Sequence, residues 1–304
     1  MDKKFSALRL VDGSSVSAVE LEELIEKTLE KADVAGLSCA IINDGQVIYV
    51  KAFGYRNRST AARNDDETIF SAASISKAVF AYLVMLLAEQ GELNLNQPLN
   101  EYLARPWYEY PAYADLEGDE RYSQITACMA LSHSTGFPNL RSLEPDGRLK
   151  FLFSPGERHS YSGEGINLLQ MVIEEITGKG LEKLAQEMIF HPLGMTHSSY
   201  VWQAEFEENM AFPHNEFCQP RGFSIQQLQG FGAGAGGSMA TTAGDLARFI
   251  SLGILNVDGK RKATIDEMLR PQIGIHYKNM FGPGAWQETD QYQDIHLSWS
   301  LGWG

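Results

Sequence analysis

The tetrad Ser74-Ile75-Ser76-Lys77 leads into the most apolar run of the sequence, residues 78–88. A run that is apolar on all sides and followed by Gly91 predicts a helix over residues 74–90, buried on several sides. Three residues span almost one helical turn, so Ser74 and Lys77 share a face and the lysine amine can approach the serine hydroxyl. An amine placed in this way can accept the proton of a serine nucleophile. Alone the tetrad is weak evidence, because it is expected about once by chance in a chain of this size.

Two regular elements precede this helix. Residues 17–20 (SAVE) have the form of a capping box, and apolar residues then recur at helical spacing as far as Gly36. Apolar segments over residues 37–43 and 47–53 flank Asp44-Gly45, a pair that favours a tight hairpin turn. The N-terminal part is therefore predicted to be a helix followed by a β-hairpin.

The middle of the chain reads as short helices between long loops, with no low-complexity linker. Helices are predicted over residues 125–132, 164–176, 181–189, 242–252 and 264–269, and residues 102–122 are predicted to be irregular surface chain. Near the end, alternation of apolar and other residues over 295–303 predicts a half-buried strand. Before the helix at 164, the turn residues Tyr161, Ser162 and Gly163 could face a cleft, although such a turn is more often only a helix entry.

Composition excludes several classes of protein. The chain has 304 residues, 25 Lys+Arg, 39 Asp+Glu and a formal charge of -14, a balance that opposes binding to nucleic acid or anionic membranes. Cys39, Cys128 and Cys218 are widely spaced and are interpreted as small core residues. No segment is long and apolar enough to span a membrane, and residues 1–5 show no secretory signal, so we expect a cytoplasmic protein or a secreted one whose signal has been removed.

Other catalytic and cofactor motifs are weak or absent. Residues 232–237 satisfy the string G-x-G-x-x-G, but the preceding residues 224–230 are too polar for the strand that a dinucleotide site requires. The seven histidines show no zinc-binding spacing, so His133, His191 and His197 are interpreted as loop and packing residues. No G-x-S-x-G elbow occurs. No metal or organic cofactor is predicted, and the aromatic residues of the loops are interpreted mainly as packing residues.

Taken together, several segments resemble the serine β-lactamase and penicillin-binding-protein superfamily, in its branch of class C β-lactamases and β-lactamase-like esterases. Residues 68–77 (TIFSAASISK) resemble the nucleophile segment of that branch. Further similar segments follow in the order that the branch uses: ALSHSTGF at 130–137, SPG at 154–156 with YS at 161–162, HPLGM at 191–195, GGSMATTAGDLA at 236–247 and LGW at 301–303.

The resemblance implies an α+β fold of the β-lactamase/transpeptidase type, in which an antiparallel sheet with flanking helices is joined to an all-α lobe. Residues 1–77 and 286–304 would form the α/β lobe of a single catalytic domain, and residues 78–285 would form the inserted helical lobe. It also implies an acyl-enzyme on Ser74, with Lys77 and Tyr161 sharing the removal of its proton. Ser162 would shuttle a proton or bind substrate. The substrate would be a small ester, peptide or β-lactam.

Two departures from the family pattern bear on activity. The family usually has asparagine at the position of Gly163, where it contacts the substrate side-chain amide, so glycine favours an esterase or a peptidase with different recognition. The third family motif, K-[ST]-G or H-x-G, would follow residues 301–303, and the sequence ends first. We therefore expect missing C-terminal strands, and an open edge beside the last strand or one filled by a complementing C-terminal segment or partner chain. An alternative hypothesis is a catalytically incomplete ligand-binding or scaffold protein.

Overall fold

The computed structural model describes residues 7–221, 232–257 and 259–304; the predictions made on residues 1–5 and 224–230 lie outside this part of the chain. Nine strands are present in these residues: β1 Leu8–Arg9, β2 Ser15–Val16, β3 Gly36–Asn43, β4 Gln46–Asn57, β5 Ala62–Arg63, β6 Phe70–Ser71, β7 Ala240–Thr241, β8 Ile273–Gly274 and β9 Ser298–Trp299. The α-helices are α1 Ala18–Ala32, α2 Ser76–Glu89, α3 Ala127–Leu131, α4 Gly163–Thr177, α5 Leu181–Ala185, α6 His191–Leu193, α7 Phe206–Asn209, α8 Ala243–Arg248 and α9 Lys262–Leu269. The wider π-helical turns Gln186–Phe190 and Phe249–Ile254 continue α5 and α8.

The described chain divides into two compact units. The first comprises the described parts of Met1–Ala73, Ala185–Ala233 and Ser238–Lys260, and the second comprises Ser74–Leu184, Gly234–Gly237 and Arg261–Gly304. All strand pairs within the sheets are antiparallel, in the orders β1-β2, β3-β4-β5, β6-β7 and β8-β9. Helices and small antiparallel sheets together give the α+β class.

The first unit is built around the predicted helix and hairpin. Ser17 caps α1, and the capping box with Glu20 is present. The helix ends at Asp33, which adopts a left-handed conformation, and therefore earlier than the sequence suggested. The hairpin turn has positive φ at both Asp44 and Gly45, as a type I′ turn requires. The helix and hairpin predictions are confirmed.

The second unit is built around α2. Residues 79–87 of this helix are all buried, which confirms the prediction made from the apolar run. The C-terminal segment packs against α2 at Gly302: its φ is +85°, and a Cβ added there would lie 2.4 Å from the Cβ of Ala81. Both the backbone conformation and the close approach require glycine at this position.

Two local predictions from the sequence are wrong. Residues 102–122 form a series of 3₁₀ turns and are not purely surface chain, because the side chains of Trp107 and Leu116 are 0% and 1% exposed. The predicted strand over 295–303 shrinks to β9, preceded by a 3₁₀ turn that leaves Ile295 exposed. Its partner is β8, where the sequence predicted no strand, and within the described residues β9 pairs with no other strand.

Only one of the three cysteines, Cys218, is a core residue as the sequence predicted. Cys39, Cys128 and Cys218 are free thiols, with Cys218 buried and the other two half-buried. Among the described residues, none of the helices has the length and apolarity needed to cross a membrane.

Candidate active site

Ser74 lies in the 3₁₀ turn Ala73–Ile75 that immediately precedes α2. The residue before it, Ala73, has a φ of +43°, a left-handed conformation that L-residues other than glycine adopt at a cost of order 1 kcal/mol. Ser74 and Ile75 are exposed, whereas Ser76 and Lys77 are buried. The turn therefore presents the Ser74 side chain to solvent at the start of a buried helix.

Lys77 points its amine at this hydroxyl. Its side chain is buried, and Nζ lies 3.2 Å from Ser74 Oγ and 2.5 Å from the carbonyl oxygen of Gly236. The segment that carries Gly236 is fixed in turn, because the backbone N–H of Ala235 donates to Gln170 Oε1 on α4 at 2.8 Å. Two oxygens therefore orient the amine, and one of them belongs to the candidate nucleophile.

Tyr161 borders the same amine. Lys77 Nζ lies 5.0 Å from the centroid of the Tyr161 ring, within the range of a cation–π contact. Phe281 packs edge-on against the Tyr161 ring, with 5.6 Å between the ring centroids. The Tyr161 hydroxyl makes no hydrogen bond within the described part of the chain, so Lys77, and not Tyr161, is the group hydrogen-bonded to Ser74.

Ser162 and Gly163 have structural partners of their own. Ser162 is the N-cap of α4: its hydroxyl donates to the carbonyl oxygen of Pro138 and accepts from the backbone N–H of Gly165, both at 2.9 Å. The structure does not bring this hydroxyl into hydrogen-bond contact with Ser74 or Lys77. The Gly163 N–H donates to the backbone oxygen of Asn139, and a Cβ at position 163 would lie 2.8 Å from that oxygen. A side chain at 163 would therefore displace the Asn139 loop.

An ion pair fixes this loop on α4. Glu164, whose side chain is 7% exposed, pairs with Arg141 at 2.7 Å and also accepts the backbone N–H of Arg141 at 2.8 Å. The hydrogen-bonded Glu164 carboxylate raises the pKa of the Arg141 guanidinium. Removal of either partner would leave the other charge without its counter-charge. The ion pair therefore holds the loop at Arg141 against the start of α4.

Asn167 is a site residue that the sequence reasoning missed. It is exposed on α4, one helical turn after Gly163, and its carboxamide makes no hydrogen bond within the described residues. A Cβ built on Gly236 would lie 3.3 Å from Asn167 Oδ1 and 3.9 Å from Lys77 Nζ. The Asn167 carboxamide and the Lys77 amine thus both lie close to Gly236. This proximity depends on how residues 234–237 pack on α4 and leaves no local signal in the sequence.

Two buried histidines, His133 and His159, lie behind Tyr161. The sequence indicated only a packing residue at His133 and gave no prediction for His159. The ring of His133 lies 4.3 Å from that of Tyr161, and the ring of His159 lies 5.8 Å from that of His133. Trp299 on β9 contacts both histidine rings at 5.1 Å between centroids. Burial, followed by the nearby His159 and the Lys77 charge, holds the pKa of His133 well below its usual range. His133 is therefore a neutral residue packed directly against the site.

His159 is neutral for the same main reason. Burial, and then the charge of Arg158, lowers its pKa to about 4, and its Nδ1 is hydrogen-bonded to the hydroxyl of Tyr277 at 2.7 Å. Burial likewise raises the pKa of Tyr277 to about 12, so the pair is uncharged at neutral pH.

We expect this neutrality to make the protein sensitive to mild acid. His159 binds a proton near pH 6.5 in the unfolded chain but only near pH 4 in the folded chain. Its contribution to the free energy of unfolding is therefore fully present above pH 6.5 and is lost as the pH falls toward 4. Between pH 7 and 5 this one residue removes about 2 kcal/mol, before most carboxylates titrate. Urea unfolding at the two pH values measures the loss, and His159→Gln should reduce it by about that amount. An equal loss in the variant and the parent would contradict this assignment.

No metal-binding group emerges from the described residues, in which no three His, Cys, Asp or Glu side chains cluster. Within the glycine-rich segment, residues 234–237 form a turn closed by a hydrogen bond from the Gly237 N–H to the Gly234 oxygen. What the site holds is an exposed serine hydroxyl, a buried amine bonded to it and an aromatic ring on that amine. These are the groups that a serine hydrolase of the serine–lysine type uses.

Comparison with known proteins agrees with this class. The family model described as Beta-lactamase matches residues 21–293, and the chain belongs to this family of serine hydrolases. It is 25% identical over 199 residues to Protein flp of Staphylococcus aureus (strain N315), a match that covers 60% of this chain and 38% of that protein. It is 25% identical over 232 residues to Esterase EstB of Burkholderia gladioli, covering 68% of this chain and 56% of that protein. The chain thus spans roughly two fifths to three fifths of the length of these curated relatives.

Solved structures show the same fold. The octameric penicillin-binding protein homologue from Pyrococcus abyssi superposes with a TM-score of 0.69 at 23% identity, over 94% of this chain and 64% of that one. The D-alanine carboxypeptidase AmpC from Burkholderia cenocepacia superposes with a TM-score of 0.66 at 21% identity, over 86% of this chain and 72% of that one. At these identities the likeness shows the fold alone, and that fold is the β-lactamase/transpeptidase fold expected from the sequence motifs.

Proposed function

We propose that this chain is a serine acyl hydrolase that cleaves a small ester or amide through an acyl-enzyme on Ser74. The observation that carries the proposal is the 3.2 Å contact between Lys77 Nζ and Ser74 Oγ, in which the hydroxyl is exposed and the amine is buried. A serine hydroxyl is a weak nucleophile unless a neighbouring base removes its proton. Membership of a family of serine hydrolases supports this reading of the pair.

In the proposed reaction, Ser74 Oγ attacks the substrate carbonyl carbon while its proton passes to Lys77 Nζ, which acts as the base in its deprotonated form. The ammonium that forms is stabilised by the Gly236 oxygen and by the face of the Tyr161 ring. Collapse of the tetrahedral intermediate breaks the bond to the leaving group, which takes a proton from Lys77 directly or through the Tyr161 hydroxyl. Water then attacks the acyl-enzyme, Ser74 recovers its proton and the acid is released.

The backbone N–H of Ser74, at the start of a helix, supplies one donor to the oxyanion of this intermediate. Loss of one such donor typically costs about 10²- to 10³-fold in rate. We expect good leaving groups to be hydrolysed fastest, because they depend least on oxyanion stabilisation and on proton donation.

A substrate panel tests the proposal and distinguishes esterase, D-amino-acid peptidase and β-lactamase activity. Turnover of p-nitrophenyl esters, D-Ala-D-Ala peptides and nitrocefin is measured for the parent and for Ser74→Ala. We expect Ser74-dependent turnover of the short esters above all. EstB carries the name esterase, and Gly163 offers no side-chain amide to an acylamino substrate. If no substrate is turned over above the Ser74→Ala background, the alternative of a ligand-binding or scaffold protein replaces the hydrolase.

Asn167 predicts a preference among acyl groups. Its carboxamide, which has no hydrogen bond among the described residues, can donate to one side of a secondary amide and accept from the other, close to Gly236 and the Lys77 amine. We expect Asn167→Ala to lower kcat/KM for an N-acetylglycyl ester about 10-fold, the cost of one or two lost hydrogen bonds. The pentanoyl ester, of equal chain length and without the amide, is the matched control and should change less than twofold. Equal losses for the two esters would exclude Asn167 from acyl-group recognition.

A further inference from the structure

His133 holds three consecutive residues of the site at once. Its backbone oxygen accepts the N–H of Ser160 at 2.8 Å, its ring Nδ1 lies 3.1 Å from the backbone nitrogen of Ser162, and its ring packs on that of Tyr161. Its side chain is 1% exposed, and its φ is +55°, a conformation that residues other than glycine seldom adopt. One buried residue in an uncommon backbone conformation thus brackets Tyr161 on both sides along the chain.

We propose that His133 is the positioning residue for Tyr161, acting as a neutral hydrogen-bond acceptor that fixes the Ser160–Ser162 backbone and sets the Tyr161 ring against the Lys77 amine. The inference rests on the proposed function, in which that ring stabilises the ammonium formed during acylation.

The hydrogen-bonding atoms assign the tautomer. The backbone N–H of Ser162 can only donate, which makes His133 Nδ1 the acceptor and places the ring proton on Nε2. The Ser162 oxygen, 3.2 Å from the same nitrogen, is only an acceptor, so it could bond to Nδ1 only in the opposite tautomer. That opposite tautomer, with the proton on Nδ1, would leave the buried N–H of Ser162 without this acceptor.

Protonation of His133 would oppose this arrangement twice. It would set a second N–H against that of Ser162, and it would add a positive charge near Lys77, with His159 packed against the same ring. The buried site keeps the imidazole neutral and thereby keeps it an acceptor.

Three substitutions separate the acceptor from the ring. In His133→Asn, Oδ1 occupies roughly the place of Nδ1 and can accept from Ser162, but the ring is lost. In His133→Phe a ring remains and the acceptor is lost. In His133→Gln the amide lies beyond the Nδ1 position, so this variant replaces the phenylalanine variant if the latter does not fold. Thermal unfolding confirms that each variant is folded before kinetics are compared.

We expect kcat for ester hydrolysis to fall about 30-fold in His133→Phe, with KM changed less than threefold, and to fall less than fivefold in His133→Asn. ¹⁵N NMR of the imidazole in the parent protein should show a bare Nδ1 and a protonated Nε2. The proposal is overturned if the asparagine variant loses as much kcat as the phenylalanine variant, if neither loses activity, or if Nδ1 carries the proton. The NMR result does not depend on turnover, so it tests His133 even if the hydrolase proposal fails.

Discussion

Replacement of Ser74 by alanine is expected to lower kcat for the best ester substrate by about 10⁴-fold or more, to the rate of the uncatalysed background. The hydroxyl is the group that bonds to the substrate carbon, and its neighbour Ser76 is buried and faces a different direction on the helix. The change removes one exposed atom, so the free energy of unfolding should change by less than about 0.5 kcal/mol.

The matched control is Ser142→Ala, which truncates another exposed serine of the same compact unit. It should retain full turnover. Measurable ester hydrolysis by Ser74→Ala, at more than one hundredth of the parental rate, would show that another group is the nucleophile.

Replacement of Lys77 by methionine is expected to slow acylation of Ser74 by about 10³-fold, an effect in the range of general acid–base catalysis. Methionine fills a similar volume without the amine, so the variant isolates loss of proton transfer from loss of packing. The rate of Ser74 labelling by an activated ester under single-turnover conditions measures the step directly.

The same experiment decides between the two candidate bases. If Lys77→Met keeps acylation within tenfold of the parent while Tyr161→Phe loses it, the Tyr161 hydroxyl is the proton acceptor. The reverse order is expected, because Lys77 is the residue hydrogen-bonded to Ser74 and the Tyr161 hydroxyl has no hydrogen bond in the described chain.

Elements with strong local signals were predictable from the sequence. The capping box at Ser17, the Asp44-Gly45 turn and the apolar helix over residues 76–89 each depend on residues a few positions apart. The C-terminal strand was not predictable in its length or its partner, because β9 pairs with a segment about 25 residues away whose own sequence carries no alternation. Burial of Trp107 likewise depends on tertiary packing, which loop-like composition conceals.

The same division applies to the site. The contact between Ser74 and Lys77 follows from helical spacing alone, whereas the proximity of Tyr161 to Lys77 was expected only through the family resemblance. His133 was visible within a matching segment and was interpreted as a packing residue, because its hydrogen bond to Ser162 joins residues 29 positions apart. Asn167 gave no signal, since its place beside Lys77 depends on how a glycine turn packs on α4.

Covalent trapping of the nucleophile tests the central claim most directly. The protein is incubated with a fluorophosphonate, its intact mass is measured and the modified residue is located by peptide mapping. We predict one adduct per chain, on the peptide that contains Ser74, and none in Ser74→Ala. An unmodified parent protein, or an adduct that persists in Ser74→Ala, would contradict the assignment of Ser74 as the acyl-accepting residue.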